Sequence, residues 1–296
     1  KPSPINGRGE QLPQSAIIAV VGTGAMGAGI AQVAAAAGHQ VKLLDARPDA
    51  AARAVAGIRA QFAKMAEKGK LTASAAEAAS ARLTAVDQLT DLADCALVVE
   101  AIVENLEAKQ TLYRDLESIV AVDCIFGTNT SSISVTAIGA ALKHPERLAG
   151  LHFFNPAPLM KLVEIVTTVA TRAQTLDTAQ AFVAELEKHP VVCGDRAGFI
   201  VNALLFPYLN DAIRMVEVNY ASTDDIDLAM KRGCGLPMGP FELLDTVGLD
   251  VALDIQRTLY LEFREPGFAP APRLEHLVTA GYLGRKTGRG FRIYES

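Results

Sequence analysis

The chain has only four cysteines, Cys95, Cys124, Cys193 and Cys234, and none lies within two or three residues of another. That spacing excludes a CxxC redox motif and a short-spaced zinc site, and no metal is expected. Cys95 and Cys124 open apolar runs and Cys193 closes one, so they read as reduced core residues of a cytoplasmic protein. A long basic run is also missing. The 28 Lys and Arg stand against 33 Asp and Glu, a net charge of −5, which argues against nucleic acid as a partner. Internal repeats and low-complexity tracts are absent. With 50% hydrophobic and 21% charged residues, the composition excludes a disordered chain, a collagen and a disulfide scaffold. One stretch, residues 16–37, is apolar enough to raise a membrane span or signal peptide. Four glycines, Thr23 and Gln32 interrupt it, so a strand and tight turn fit better, and no membrane partner is expected.

What is present is enough chain for two domains: 296 residues at about 150 per domain. Residues 1–15 are rich in Pro, Gly and polar side chains and read as a mobile tail. The chain starts at Lys1 rather than Met, as a processed piece would. From there to about residue 195, short apolar runs alternate with Ala-rich helical stretches. The runs are 17–21, 41–44, 83–86, 96–102, 124–128, 148–154, 162–166 and 191–193. This alternation predicts a doubly wound, mostly parallel sheet with helices on both faces. Beyond Gly198 the strand-like runs stop, and stretches of helical period follow at 199–220, where Pro207 should kink the helix, and at 241–263. The boundary is placed at 196, with an α/β domain over 16–196 and an all-α domain over 197–296. Residues 47–82 are too long for a simple crossover and read as an inserted helical hairpin. Its first part, 47–70, carries six basic residues against two acidic ones.

The first chemical motif is Gly22-Thr23-Gly24-Ala25-Met26-Gly27, after the strand 17–21 and before a helix over 28–37. The glycines suit a tight turn, a close backbone approach to pyrophosphate, and close helix–strand packing. A helix N-terminus then faces the phosphates. Asp45 ends the next strand, 18 residues past Gly27, where a carboxylate accepts from the ribose hydroxyls of NAD and repels the 2′-phosphate of NADP. Arg47 softens that preference, because it can pair with such a phosphate.

The second constellation is His152 and Glu164 in LHFFNPAPLMKLVEIV. Both stand six positions from Pro158. If the flanking runs pair as antiparallel strands, the two face each other on one side of the sheet. A carboxylate beside an imidazole orients it and makes it a competent general base; a structural His–carboxylate pair is the competing reading. A third cluster, Thr128-Asn129-Thr130-Ser131-Ser132, follows a strand at the sheet edge where parallel sheets bind ligands. One of its serines equally suits an N-cap for a helix over 134–142. Asn202, in AGFIVN, stands at the start of the helical domain, where it suits a hydrogen-bond donor reaching across an interdomain cleft.

Together the segments VVGTGAMGAGIA, VVEAIVENLEAK, TNTSSISVT, GLHFFNPAPLMKLVEIV, AGFIVN, GLPMGPFELLD and GRKTGRGF closely resemble the L-3-hydroxyacyl-CoA dehydrogenase family, over about residues 16–294. The resemblance includes the 3-hydroxybutyryl-CoA and 3-hydroxyadipyl-CoA types. It implies a Rossmann-type first domain and an all-α second domain that forms a homodimer. It also implies NAD-dependent, reversible oxidation of an L-3-hydroxyacyl-CoA to a 3-ketoacyl-CoA in fatty-acid, butyrate or phenylacetate metabolism. Carried over by motif, His152 is the catalytic histidine and Glu164 its orienting carboxylate. Ser131 and Asn202 surround the reacting oxygen. Gly22 to Gly27 and Asp45 hold the adenosine half of NAD, and Glu104, Lys109, Ser131, Asn155 and Lys286 line the rest. The basic hairpin matches the element over the CoA, which puts Lys64 and Lys68 near its phosphates. Ala203, where the family usually has Arg, and Arg196-Ala197, in place of Thr-Pro, depart from the pattern at the domain junction. Phenylacetate-pathway relatives carry a second helical domain after GxGF, so the chain reads as a shortened version of such a protein. An L-gulonate-type sugar-acid dehydrogenase and a non-catalytic, crystallin-like NAD binder are the alternatives.

Overall fold

A computed structural model describes residues 16–294; the expected mobile tail at 1–15 lies outside the described residues. The chain divides into two compact units, residues 1–195 and 196–296.

In the first unit the apolar runs become eight strands of one sheet. They are β1 (Ile17–Val21), β2 (Gln40–Leu44), β3 (Leu83–Ala85), β4 (Leu97–Glu100), β5 (Ile125–Thr128), β6 (Leu148–Phe153), β7 (Leu162–Thr167) and β8 (His189–Gly194), in the order β3-β2-β1-β4-β5-β6-β7-β8. Every neighbouring pair is parallel except β6–β7. Central strands such as β4 and β5 are buried along their whole length, which is why they read as unbroken apolar runs rather than alternating ones. The strand order reverses beside β1 and β4, the switch point where doubly wound sheets bind ligands.

Six helices join these strands: α1 (Ala25–Ala37), α2 (Ala50–Glu67), α3 (Ala73–Ala81), α4 (Leu106–Glu117), α5 (Val135–Gly139) and α6 (Ala173–Glu185). Side chains start several of them. Thr72 accepts from the Ala75 N–H for α3, Asn105 from Ala108 for α4, and Ser134 from Ala137 for α5. Helices α2 and α3 are the inserted hairpin. Phe62, Ile58 and Val55 of α2 and Ala76 and Ala79 of α3 enter the same core as Ile18, Leu43, Leu97 and Ile165 of the sheet.

The second unit is helical: α7 (Val201–Glu217), α8 (Thr223–Gly233), α9 (Pro240–Val247), α10 (Leu249–Phe263) and α11 (Pro272–Thr279). Its core is built from Phe206, Leu209, Ile213, Phe241, Leu249, Leu253 and Leu274. Two buried carboxylates organise it. Asp227 accepts the Phe241 and Glu242 N–H groups at the start of α9, at 2.8 and 3.1 Å. Asp245 accepts the Phe291 and Arg292 N–H groups and the Tyr294 hydroxyl, fastening the last described segment.

Five expectations need correction. The stretch 241–263 is two helices, not one, because Gly248 has φ +104° and interrupts them. The first helix starts at Ala25, inside the glycine motif, and α5 ends at Gly139. Strand β8 starts at His189, before its apolar run, since backbone pairing with β7 requires no apolar side chain. Cys193 is only half-buried on that strand, and Cys234 is exposed, whereas Cys95 and Cys124 are core residues. Burial pushes the thiols of Cys95 and Cys124 up to about 12. Among the described residues, no helix is long and apolar enough to cross a membrane.

Candidate active site

The glycine motif forms a turn that only glycine tolerates at two points. Gly22 has φ +91°, and a Cβ there would collide with the Ala101 carbonyl. A Cβ on Gly27 would collide with the Gly22 carbonyl, so the first turn of α1 packs directly on the loop before it. Gly24 is the N-cap of α1 and has no side chain to cap it. A Cβ at Gly24 would meet nothing within 4 Å. The turn therefore leaves open space in front of uncapped helix N–H groups, the arrangement that accepts a pyrophosphate. The residues present fit a dinucleotide.

Asp45 follows β2 beside this turn. Its Oδ2 accepts from the Thr23 N–H and hydroxyl, each at 2.8 Å. Its Oδ1 accepts from the Arg47 N–H and Nε at 3.0 and 2.9 Å. The Arg47 side chain, then burial working against it, then the backbone bonds from Arg47 and Thr23 set the carboxyl's acidity. The net result lies well below the usual carboxylate range.

His152 and Glu164 are register partners of the antiparallel pair β6–β7. The turn between them spans residues 154–161 and contains Asn155, Pro156 and Pro158. His152 Nδ1 lies 2.7 Å from Glu164 Oε2. Glu164 is fully buried and His152 is 5% exposed, so the carboxylate holds the ring in a place closed to most solvent. An Nδ1–H···carboxylate bond leaves Nε2 as the basic nitrogen. Asn129, just past β5, accepts from the Phe153 N–H at 2.9 Å and ties the end of β6 beside His152. Lys188 donates to the carbonyls of Ala157 and Met160, both at 2.6 Å, and so holds the connecting turn.

The serine cluster is held by a charge network that is exposed at Glu104 and buried at Lys109 and Glu100. Glu104 Oε1 accepts from the Thr130 hydroxyl at 2.6 Å and from the Ser131 and Ser132 N–H groups at 3.0 and 3.1 Å. Lys109 sits under it, 1% exposed, with Nζ 2.6 Å from Glu100 and 3.3 Å from Glu104. Glu100 is fully buried; it also accepts from the Thr128 hydroxyl at 2.7 Å and the Ile102 N–H at 2.8 Å. Burial alone would raise the Glu104 carboxyl. The Lys109 charge and the bonds from Thr130 and Ser131 outweigh it and hold the group low. Sequence reasoning named Glu104, Lys109 and Ser131, and placed Asn129 in the polar cluster without a role, but missed Glu100 and Lys188. Glu100 was detectable, as a carboxylate closing the apolar run LVVE. Ser134, rather than Ser131 or Ser132, is the helix cap.

The other expected residues lie elsewhere. Lys64 and Lys68 are exposed at the end of α2, and Asn155 is exposed in the β6–β7 turn. In the second unit, Asn202 is buried on α7, and Lys286 pairs with both carboxylate oxygens of Asp250, at 2.6 and 2.7 Å.

Comparison with known proteins agrees over both units. The family model described as 3-hydroxyacyl-CoA dehydrogenase, NAD binding domain, matches residues 17–196. The model of the C-terminal domain of the same family matches 198–294. The mitochondrial hydroxyacyl-coenzyme A dehydrogenase of Sus scrofa is 46% identical over 285 residues, covering 94% of this chain and 91% of that protein. The 3-hydroxyadipyl-CoA dehydrogenase of Escherichia coli (strain K12) is 44% identical over 274 residues, covering 92% of this chain and 58% of its own length. Among solved structures, (S)-3-hydroxybutyryl-CoA dehydrogenase from Ralstonia eutropha superposes with a TM-score of 0.91 at 38% identity, covering 95% of this chain and 99% of that one.

Proposed function

Because this chain belongs to the 3-hydroxyacyl-CoA dehydrogenase family, whose members interconvert 3-hydroxyacyl-CoA and 3-ketoacyl-CoA with NAD, we propose that His152 is its general base and Glu164 the group that orients it. The observation that carries this reading is the 2.7 Å rung between them, in the same unit as a glycine turn shaped for a dinucleotide.

NAD, when bound, supplies the hydride acceptor. The glycine turn and the start of α1 take its pyrophosphate, and Asp45 takes the adenosine ribose. Ser131, positioned by Glu104, together with Lys109 beneath it, Asn155 and Lys286, serves the remainder of the nucleotide. During oxidation, Nε2 of neutral His152 takes the proton of the 3-hydroxyl while C3 loses hydride and the C=O bond forms. Glu164 stabilises the imidazolium that results. In reduction the same nitrogen returns the proton to the oxygen. Ser131 donates to that oxygen as charge develops on it, and Asn202 is carried into the same role by the AGFIVN motif. Lys64 and Lys68, on the basic hairpin, are proposed to meet the CoA phosphates.

The substrate is proposed to be the L-3-hydroxyacyl isomer. The chain is proposed to act as a cytoplasmic homodimer formed through its second unit, where Leu204, Val218, Tyr220 and Leu261 are exposed apolar residues.

The deciding experiment is NADH consumption with acetoacetyl-CoA, run beside a sugar keto acid. Rapid loss with acetoacetyl-CoA alone supports the reading. Loss with the sugar acid alone moves the protein to the gulonate type. Binding of NADH without consumption by either makes it a non-catalytic binder.

A further inference from the structure

Arg47 and Asp45 form a closed pair where the adenosine ribose is proposed to lie. Three of the donors on Asp45 come from Arg47: its N–H at 3.0 Å, Nε at 2.9 Å and Nη2 at 3.0 Å. Thr23 adds the other two. The two partners are not equally fixed. The Asp45 side chain is 7% exposed, whereas that of Arg47 is 68% exposed. Thr23 keeps the carboxylate in place, while the guanidinium can turn into solvent.

An aspartate at this position excludes a ribose 2′-phosphate in two ways. It repels the phosphate by its charge, and it reserves its lone pairs for the two hydroxyls. Here both are compromised. A guanidinium balances the charge, and the lone pairs already have donors. A cavity of about 590 Å³ opens beside the pair, between the glycine turn, α1 and α2. The charged residues lining it are Arg47 and Arg53, and no carboxylate is among its described lining residues. A dianionic group entering beside Asp45 therefore meets two guanidiniums, the side chain best shaped to grip a phosphate.

We propose that Arg47 enables this enzyme to take the 2′-phosphorylated dinucleotide, NADP(H), as a second hydride carrier, by releasing Asp45 and pairing with the 2′-phosphate. The chemistry is unchanged: the 3-keto group gains a hydride and a proton and becomes a hydroxyl, with NADPH oxidised to NADP⁺. The inference rests on the reading of Asp45 as the ribose site.

The chain has no tryptophan, so binding of NADH and NADPH can be followed by the nucleotides' own fluorescence, independently of turnover. The native protein should bind NADPH within about 100-fold of NADH, the span one charge-assisted pair covers. Arg47→Ala should weaken NADPH by about tenfold or more and tighten NADH, because Asp45 is released. Arg47→Glu should deepen the NADPH loss. Ratios of kcat/KM for the two nucleotides with acetoacetyl-CoA should follow the binding ratios. A native protein that binds NADH but not NADPH overturns the proposal, as does an Arg47→Ala ratio within about twofold of native. Asp45→Ala separates the two levels. If it leaves both nucleotides binding as before, Asp45 is not the ribose site, and the reading beneath the proposal falls with it.

Discussion

Glu164 and His152 face each other across one rung of an antiparallel pair, with Oε2 and Nδ1 2.7 Å apart. The two strands on either side of that pair, β5 beside β6 and β8 beside β7, are parallel to their neighbours. The one antiparallel step in the sheet thus puts His152 and Glu164 on a single rung. A ladder rung holds Cβ atoms about 4.5–5.5 Å apart, so neither side chain needs a loop to position it.

His152→Gln keeps a polar side chain but cannot accept the proton. Turnover should fall about 100-fold or more with NADH binding retained by fluorescence titration. Near-native turnover would remove His152 from the mechanism. Glu164→Gln should lower kcat with a smaller change in KM, because ring orientation and imidazolium stabilisation act on the chemical step. A purely raised KM would assign Glu164 to substrate binding instead.

Two glycine variants separate stability from binding. Gly27→Ala puts a methyl group into the Gly22 carbonyl, a backbone atom that cannot move aside, and should cost about 1–3 kcal/mol by urea denaturation. Gly24→Ala meets nothing within 4 Å, so its melting temperature should stay close to native while its NADH affinity drops. If both variants keep native affinity, the turn does not hold the pyrophosphate.

Lys188→Met should destabilise by about 1–3 kcal/mol, since the carbonyls of Ala157 and Met160 lose their shared donor in a buried place. The same change loosens the turn carrying Asn155. Hydrogen exchange should therefore rise at residues 154–161 before it rises in β6 or β7. Uniform exchange across the sheet would mean that the lysine acts on the whole fold.

Acid should reach the first unit through Glu104 and Glu117. Burial works against both carboxylates. Lys109 with Thr130 and Ser131 for Glu104, and the Lys143 and His144 N–H groups with Arg147 for Glu117, more than offset it and leave both low. A glutamate in the unfolded chain titrates at about 4.3, so on acidification the unfolded chain takes up these protons first. The stabilisation is complete above about pH 5 and is lost as the pH falls through the folded values. Glu104→Gln should lower stability at neutral pH and flatten its decline between about pH 5 and 3. An unchanged slope in urea titrations would show that Glu104 contributes nothing to the acid transition.

Much of this arrangement is written locally in the chain. The glycine turn reads directly, because strand, turn and helix are contiguous and each has its own residue pattern. The His152–Glu164 register reads from equal spacing about Pro158, because strand pairing across a short turn leaves few alternatives. The basic hairpin reads from its length and charge. Other features hide because their signals resemble something else. Lys109 lies in LEAKQTLYRDLE, a polar helix whose lysine looks solvated, yet its amine is 1% exposed between two carboxylates. The apolar period on either side of Gly248 looks continuous, and a single positive φ divides it.

By itself, then, the sequence determined the doubly wound first domain, the helical second domain, the glycine turn and the pairing of His152 with Glu164. These follow from periodicity and turn chemistry, which act over a few residues. Only the tertiary structure decided which charges are buried and who satisfies them. Glu100 lies under Lys109, Lys188 under the β6–β7 turn, and Asp45 is buried beneath donors from Thr23 and Arg47. Residues distant in sequence, or exposed by their composition, acquire those roles when packing excludes water and leaves each charge only the partner that the fold brings to it.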